Sequence, residues 1–468
     1  MRYILDQSYH LYGWVGSPTG LYYTEKHSTV FFPRNLYRLL LQCDGASELE
    51  PEHLQAEETA FLDKLQKAGI IRPAWFGEFL LPEQNYHVFP CRFRANAEWS
   101  VTGACNLRCR HCLMSAPEAR HGVPTLSELT AVADQLAECG IFSVDITGGE
   151  PLTRQDFPQV LGLLKERGIG IRTLLTNGWL VDDALLDMLE EQGFHPTFQM
   201  SFDGVGRHDF LRGVPGAEAR TEEAFRRLHR RGFRTTAAMV LHRNNADTLR
   251  DTVRFLASLG AEHLKCSAAM DLGEWTQAEV RNLKLTREEQ LEIYERYIPQ
   301  YFEDGAPIGL NLSGAFSYTP GEDSWRDRGT EAGTINEDAL SCKVIHENLY
   351  IGADGLVAPC MSFAECDFAA KLPNLRSSKL RDILNDPEFA GLCSVRIRDI
   401  RDKNPQCRSC DYAGICDSGC RFIAVLCGNG YYGIDSEKCH FFRSGWCERI
   451  RAAVQPAFDE YRKGKTSG

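Results

Sequence analysis

Apolar and polar residues follow two alternating periods along the middle of the chain. Short apolar runs, typical of buried strands, recur six times, at 99–103, 142–147, 171–176, 197–202, 234–240 and 262–267. Between them, apolar residues recur every three or four positions, which predicts helices at 126–140, 156–168, 183–193, 222–232 and 247–260. Each helical run ends in glycine, the residue preferred where a helix terminates.

This alternation predicts an α/β fold. Six strands separated by helices at about 30-residue spacing form a parallel sheet. Eight such units would close a TIM barrel, so six predict an open, partial (β/α)6 barrel, which we assign to residues 91–270. The chemistry of a barrel lies in the loops at the carboxyl ends of its strands.

The two ends of the chain have different patterns. Short strand-like runs at 3–5, 20–23 and 30–32 precede amphipathic runs at 33–42 and 57–69, which predicts a winged-helix-like module over residues 1–90. Periodicity is lost later in the chain. We assign 271–340 to an irregular bridging segment, 341–450 to a cysteine-rich domain whose core is supplied by metal, and 451–468 to a tail.

The charge balance excludes some classes of partner. Lys and Arg number 52 against 64 Asp and Glu, for a formal net charge of −12. An acidic chain is not expected to bind nucleic acid, which meets a basic face. No signal sequence is evident, and no apolar run approaches the ~18 residues of a membrane span. We therefore expect a cytoplasmic protein with no membrane partner and with reduced thiols.

The cysteine count is unusual, and the spacing of the cysteines carries the information. The chain has 18 cysteines, fewer than a disulfide scaffold of this length would contain. Cys105, Cys109 and Cys112 form a C-x3-C-x2-C group directly after the first barrel strand. Three thiolates would leave one iron of a four-iron four-sulfur cluster open to another ligand. A zinc site is the alternative, but zinc requires a fourth ligand and the adjacent His111 is poorly placed.

This cysteine group, in this position, resembles the signature of the radical S-adenosylmethionine (SAM) enzymes. A second match is the turn TGGEP at 147–151, directly after the second strand. Its glycines permit close backbone approach, although an ordinary glycine-rich turn is the alternative. The resemblance implies a [4Fe–4S] cluster that binds SAM, and SAM contacts at His111, Gly148, Gly149, Glu150, Pro151, Asn177, Ser201, Asp203 and Arg212. A solvated surface arginine is the alternative for Arg212.

A second cysteine system resembles the SPASM domain of peptide-modifying radical SAM enzymes. It consists of Cys342, Cys360, Cys407, Cys410, Cys416, Cys420 and Cys439. The resemblance implies two auxiliary [4Fe–4S] clusters. Cys407, Cys410, Cys416 and Cys439 would hold one, and Cys342, Cys360 and Cys420 the other.

The fourth ligand of the three-cysteine cluster is open. Asn336 occupies the position where fully ligated relatives have a cysteine, and Cys366 is a spare candidate. An open iron there would bind a substrate thiolate. Of the eight cysteines outside both systems, Cys139 and Cys266 fall in helix and strand patterns and are expected to be small core residues.

Two further features bear on function. Sulfatase-maturing relatives have an aspartate base after the cysteine that corresponds to Cys360, whereas this chain has Met361; Asp354 and Asp367 stay open as alternative bases. The amino-terminal module resembles the PqqD-like element that binds leader peptides by adding a strand to a sheet edge. A structural cap on the barrel is the alternative.

The combined resemblance implies a radical SAM oxidoreductase. A 5′-deoxyadenosyl radical would abstract hydrogen from a ribosomally made precursor peptide, and a thioether or carbon–carbon crosslink would form. Oxidation, epimerisation or decarboxylation of a peptide or protein residue is an alternative, as is a non-catalytic iron–sulfur electron carrier or a zinc-dependent binding protein. The TGGEP turn favours an enzyme, because a carrier needs no SAM site. The implied partners are the precursor peptide with its leader and a flavodoxin, ferredoxin or reductase as electron donor.

Overall fold

The structure, a computed structural model, describes residues 1–327 and 335–466. The first 92 residues form two small sheets and two helices. Their elements are β1 Tyr3–Leu5, β2 Tyr9–Val15, β3 Ser17–Tyr23, β4 Ser28–Phe31, α1 Arg34–Leu41, α2 Ala56–Lys67, β5 Ile71–Pro73 and β6 His87–Arg92. β1 pairs with β5, and the other sheet has the order β4-β3-β2-β6. The strands and helices expected in this module are present, and the expected boundary at residue 90 falls inside β6.

The two middle strands of the four-stranded sheet, β2 and β3, have buried residues on both faces, because alternate residues of a strand point to opposite sides. Leu11 and Leu21 pack with Tyr37 of α1 in a core that belongs to this module. Tyr12 and Trp14 face the other way and join the core of the barrel. The Trp14 indole Nε1 donates to the Cys139 carbonyl at 3.0 Å. The module is therefore packed on the barrel along a whole sheet face.

The central sheet contains all six predicted strands in chain order. Its barrel strands are β7 Asn96–Ser100, β8 Ser143–Thr147, β9 Gly170–Thr176, β10 Thr197–Ser201, β11 Thr235–Leu241, β12 His263–Ala268, β13 Gly309–Leu312 and β14 Phe316–Tyr318. Neighbours from β7 to β13 pair in parallel, and β14 pairs antiparallel with β13. The prediction of an open, partial barrel is confirmed.

The predicted barrel helices are also present. The helices of this region are α3 Leu126–Glu138, α4 Phe157–Glu166, α5 Asp183–Gln192, α6 His208–Arg212, α7 Ala217–Arg230, α8 Leu249–Ser258, α9 Ala278–Arg281 and α10 Arg287–Glu303. The part of 271–340 that is described is not irregular as expected. It supplies α9, α10, β13 and β14, and sequence patterns missed it because Pro299 lies inside α10 and the strands are short.

The carboxyl-terminal domain extends the same sheet. Its elements are α11 Lys343–Glu347, β15 Asn348–Ile351, β16 Val357–Ala358, α12 Leu380–Asn385, α13 Pro387–Cys393, α14 Ile397–Lys403, α15 Arg421–Leu426, α16 Ser436–Arg443 and α17 Trp446–Thr466. β15 pairs in parallel with β7, and β16 pairs antiparallel with β15. The strand that leads into Cys105 is therefore a direct neighbour of the cysteine-rich domain.

Two expectations for this end of the chain were wrong. The domain has an apolar core of its own, in which Tyr350, Phe363, Phe422 and Tyr431 pack together. The expected tail is part of α17, whose Phe458 ring lies 5.4 Å from that of Phe302 on α10. Apolar contacts between elements that are distant in sequence stabilise the carboxyl-terminal end of the chain. Local periodicity cannot predict such contacts. Among the described residues, no helix is long and apolar enough to cross a membrane.

The packing of the amino-terminal module generates a stability prediction. Trp14→Ala removes a buried indole and its hydrogen bond, and we expect it to lower the free energy of unfolding by about 3–5 kcal/mol. Chemical denaturation of the anaerobically purified protein measures this. Trp75→Ala is the matched control, because Trp75 is 76% exposed in the same module. Equal effects of the two substitutions would contradict the proposed packing role.

Candidate functional site

The loop that carries Cys105, Cys109 and Cys112 follows β7 and is held by backbone hydrogen bonds from distant parts of the chain. The Arg110 amide donates to the Leu211 carbonyl at 2.8 Å, and the Glu274 amide donates to the Cys112 carbonyl at 2.8 Å. The loop is thus fixed on one side by α6 and on the other by the segment after β12.

Two glycines let these segments approach the cysteine loop closely. At Gly213, with φ +70°, a Cβ atom would lie 2.4 Å from the Arg108 carbonyl oxygen. At Gly273, with φ +54°, it would lie 2.4 Å from the Cys112 carbonyl oxygen. Both positions combine a left-handed backbone with no room for a side chain, so glycine is required at each.

The three cysteines face one pocket at the carboxyl ends of the barrel strands. Of the residues expected to bind SAM, six line this pocket: His111, Gly148, Gly149, Asn177, Ser201 and Arg212. Glu150, Pro151 and Asp203 lie behind its wall. The pocket also includes Trp275 and Met361, which the sequence did not single out as pocket residues. Trp275 was detectable in principle, because it follows the carboxyl end of the last predicted strand.

Glu150 supports the TGGEP turn from within the protein. Its carboxylate accepts hydrogen bonds from the Asn177 amide at 2.7 Å and the Thr176 hydroxyl at 2.9 Å. Burial raises the pKa of Glu150 to about 7. The residue therefore joins the turn after β8 to the end of β9, while Gly148 and Gly149 present the turn to the pocket.

Arg212 is buried, which excludes the surface alternative. Its Nη2 lies 2.5 Å from Asp203 Oδ2, and its Nη1 donates to Cys109 Sγ at 3.7 Å. Its Nε is buried without a protein partner. Burial disfavours the charged form of Asp203, but the Arg212 guanidinium, together with the neighbouring His208 and His111, lowers the pKa of that carboxyl. Asp203 therefore acts on the pocket by orienting Arg212.

His111 is a neutral imidazole at the pocket wall. Burial, followed by the nearby charge of Arg212, lowers the pKa of His111 to about 4. Its ring packs edge-on to Trp275, with the ring centroids 6.3 Å apart. An uncharged ring beside an indole provides a flat, apolar surface of the kind that stacks on a nucleobase.

These residues fit a SAM-binding iron–sulfur cluster. Three thiols converge on the pocket, a glycine turn exposes its backbone there, and the buried Arg212 keeps an unpartnered Nε beside Cys109. A guanidinium with a free donor suits a carboxylate ligand. Zinc would need four ligands at about 2.0–2.3 Å from one ion. Across the described ranges, no three His, Cys, Asp or Glu side chains are close enough to hold a single ion, so the three thiols line the pocket at a wider spacing than a zinc site has.

The structure also gathers the cysteines of the second system into the expected groups. Cys407, Cys410, Cys416 and Cys439 line one small pocket. Cys342 and Cys420 both act electrostatically on Cys360, and burial is the main cause that raises the pKa of Cys360 to about 12. Asn336, at the position of the missing cysteine, and Cys366, the spare candidate for the fourth ligand, both have other partners. Asn336 Oδ1 accepts from the Asp338 amide at 2.9 Å, and Cys366 donates to the Phe363 carbonyl at 3.6 Å.

The remaining expectations concern single residues. Cys139 and Cys266 are buried in the barrel core, as expected. Asp354 and Asp367, the open candidates for a base, do not line the pocket: Asp354 contacts His121, and Asp367 is exposed. Neither carboxylate is placed to act directly on a substrate in the pocket.

Comparison with known proteins agrees with this geometry. A family model of the radical SAM superfamily matches residues 99–256, and the model of the SPASM iron–sulfur cluster-binding domain matches 342–411. The chain is 24% identical to the antilisterial bacteriocin subtilosin biosynthesis protein AlbA of Bacillus subtilis strain 168, over 85% of this chain and 86% of that protein. It is 26% identical to the PqqA peptide cyclase of Granulibacter bethesdensis, over 69% and 80%.

A solved structure has a similar fold. Streptococcus suis SuiB bound to its precursor peptide SuiA superposes with a TM-score of 0.63 at 16% identity, covering 93% of this chain and 99% of that one. At this level of identity the likeness concerns the fold alone.

Iron content tests the cysteine assignment. Three [4Fe–4S] clusters correspond to about twelve irons per chain, and we expect Cys105→Ala/Cys109→Ala/Cys112→Ala to lose about four of them. Anaerobic purification with iron and sulfide analysis measures this loss. Cys427→Ser is the control, because Cys427 is exposed and lies outside both groups. Full iron content in the triple variant would contradict the assignment.

The second test concerns Arg212. Arg212→Lys keeps the charge but loses the planar fork, and we expect the affinity for SAM to fall by about tenfold. Equilibrium binding of SAM to the reconstituted protein measures this change. Asp203→Asn should weaken binding in the same direction, because Arg212 would lose its orienting partner. Unchanged affinity in both variants would exclude Arg212 from the SAM site.

Proposed function

We propose, on the premise that this chain is a radical SAM protein with a SPASM domain, that it installs a thioether or carbon–carbon crosslink in a ribosomally made precursor peptide. A radical SAM domain binds a [4Fe–4S] cluster with SAM, and a SPASM domain binds auxiliary iron–sulfur clusters. One observation carries the proposal: the pocket that contains Cys105, Cys109 and Cys112 also contains Met361, which directly follows Cys360 of the SPASM domain. A substrate in this pocket meets both cluster-bearing segments.

Similar proteins support a peptide substrate. One relative is named as a peptide cyclase and another as a bacteriocin biosynthesis protein. The similar solved fold is a complex with a precursor peptide. These are properties of those proteins, and they make a peptide the substrate class to test first.

The chain's own residues bind and shield the reactants. When bound, a reduced cluster with SAM would supply the radical chemistry that removes hydrogen from an unactivated carbon. Arg212 is placed to hold a carboxylate, and the backbone of Gly148 and Gly149 to receive an ammonium group. Met270, Leu272 and Met361 form an apolar wall of the pocket that excludes water.

Two features support a crosslink over formylglycine formation. Met361 lies in the pocket wall, at the sequence position where sulfatase-maturing enzymes have an aspartate base. Asp354, an alternative candidate for the base, is paired with His121. The Cys342, Cys360 and Cys420 group has three thiols, and the spare candidate for a fourth ligand, Cys366, donates to the Phe363 carbonyl. A set of three protein ligands leaves room for a substrate thiolate. We therefore rank a thioether first.

The amino-terminal module is proposed to bind the leader of the peptide. β4 is an edge strand of its sheet, and Val30 on β4 is 56% exposed. An extended peptide can pair with such an edge through its backbone. The opposite face of the sheet packs on the barrel, so one module serves as both cap and binding edge. A flavodoxin, ferredoxin or dedicated reductase stays our prediction for the electron donor.

Co-expression with a candidate precursor peptide tests the proposal. A short, cysteine-rich peptide encoded beside the gene should lose two hydrogens, detected by mass spectrometry, and tandem fragmentation should locate a bridge. The Cys105→Ala variant should leave the peptide unchanged. A peptide of unaltered mass with an inverted residue, or one that has lost carbon dioxide, would instead identify epimerisation or decarboxylation.

A further inference from the structure

His121 lies between two carboxylates from a different domain. It belongs to the loop that follows Cys112, and its Nδ1 lies 3.2 Å from Asp354 Oδ2. On the other side of the ring, its Nε2 lies 2.9 Å from Glu365 Oε1. Both carboxylates belong to the SPASM domain, so one imidazole bridges the two cluster-bearing parts of the chain.

Each of the two carboxylates belongs to a segment that is connected to the pocket or to the strand that leads into the cysteine loop. Asp354 lies in the turn between β15 and β16, and β15 pairs with β7, the strand that leads into the cysteine loop. Glu365 ends the short 3₁₀ helix Met361–Glu365, which follows Cys360 directly. The first residue of that helix lines the pocket. Movement of Glu365 would therefore move the pocket wall.

The burial of Glu365 makes its ion pair with His121 costly to break. The Glu365 side chain is 1% exposed, and its charged neighbours are His121 and, at 4.0 Å, the Arg120 guanidinium. A buried carboxylate that loses its cation is costly, because the remaining charge has no water to solvate it. The hydrogen bond between His121 Nδ1 and Asp354, followed by the close Glu365 carboxylate, raises the pKa of His121 to about 9, so the ring is cationic at neutral pH. Two anions and two cations thus balance at this contact.

We propose that His121 is a positioning residue whose imidazolium clasps the cysteine loop to Asp354 and Glu365 and so fixes the spacing of the two cluster-bearing segments across the pocket. The role in turnover rests on the proposed function, whereas the clasp itself does not. Without the clasp, the loop and the Met361–Glu365 helix move independently. SAM cleavage then proceeds with the peptide misplaced.

Hydrogen exchange of the reconstituted holoenzyme tests the clasp without any peptide. His121→Gln keeps hydrogen-bonding atoms but loses the charge, and amide exchange in 113–125 and 361–365 should rise by about tenfold at pH 6.5. His53→Gln is the matched control: His53 also pairs with a carboxylate, Glu50 at 2.7 Å, but on the surface. Its exchange pattern should match that of the unmodified protein.

Rescue distinguishes a charge clasp from simple packing. His121→Gln leaves the buried Glu365 with only the more distant Arg120, at 4.0 Å, and Glu365→Gln removes that charge, so the double variant should exchange more slowly than His121→Gln alone. The pH dependence has a defined sign. The folded pKa of His121 is about 9 and its ordinary value is 6.5, so the stabilisation is full below pH 6.5 and lost as pH rises through 9. The difference between unmodified protein and His121→Gln, corrected for intrinsic exchange, should vanish at pH 9.5.

A second readout concerns turnover. With a modifiable peptide, the ratio of 5′-deoxyadenosine formed to peptide modified should rise by about tenfold in His121→Gln and stay unchanged in His53→Gln. Unchanged exchange in His121→Gln, or no rescue by Glu365→Gln, would overturn the clasp. Altered exchange with rescue, in a protein that modifies no peptide, would retain the clasp and refute the proposed function.

Discussion

The cysteine loop after β7 has little regular secondary structure, and the site depends on how other segments hold that loop. Backbone hydrogen bonds fix it from Leu211 on one side and Glu274 on the other. Gly213 and Gly273 bring those segments to contact distance, where a side chain would collide with the loop carbonyls. A cluster ligated by three thiolates needs this external support, because the loop cannot fix three sulfur positions from its own short sequence.

The sheet also connects the cysteine loop to the second half of the chain. β7 leads into the cysteine loop, and β15 of the cysteine-rich carboxyl-terminal domain is its hydrogen-bonded neighbour. The two cluster-bearing regions are therefore adjacent parts of one ten-stranded sheet. The His121 contact adds an ionic tie between the same two regions, beyond the ends of the strands. The pocket is enclosed where these connections converge.

Buried charge is used in two distinct ways around this pocket. Asp203 and Arg212 form a pair within the barrel, and Arg212 keeps one nitrogen free of protein partners, which suits it to a ligand. Glu365 and His121 form a pair between domains and lie outside the pocket. Removing a partner from either pair leaves a charge without solvent, so both constrain the structure strongly. The two ion pairs differ in whether a nitrogen remains available to hydrogen-bond a bound molecule.

The sequence by itself determined the six barrel strands, their helices, the cysteine groups and six further residues of the pocket, because each depends on local periodicity or on a motif of fixed spacing. It did not determine β13, α10 or α17, whose burial comes from contacts with elements far away in the chain. It also missed the clasp, since His121 lies 233 residues before Asp354 in the chain and no pattern links it to either carboxylate. Met361 became a pocket residue only because β15 pairs with β7 and brings its segment to the cysteine loop. Tertiary structure decided which segments face each other, because packing and ion pairing act through space, whereas periodicity records only neighbours along the chain.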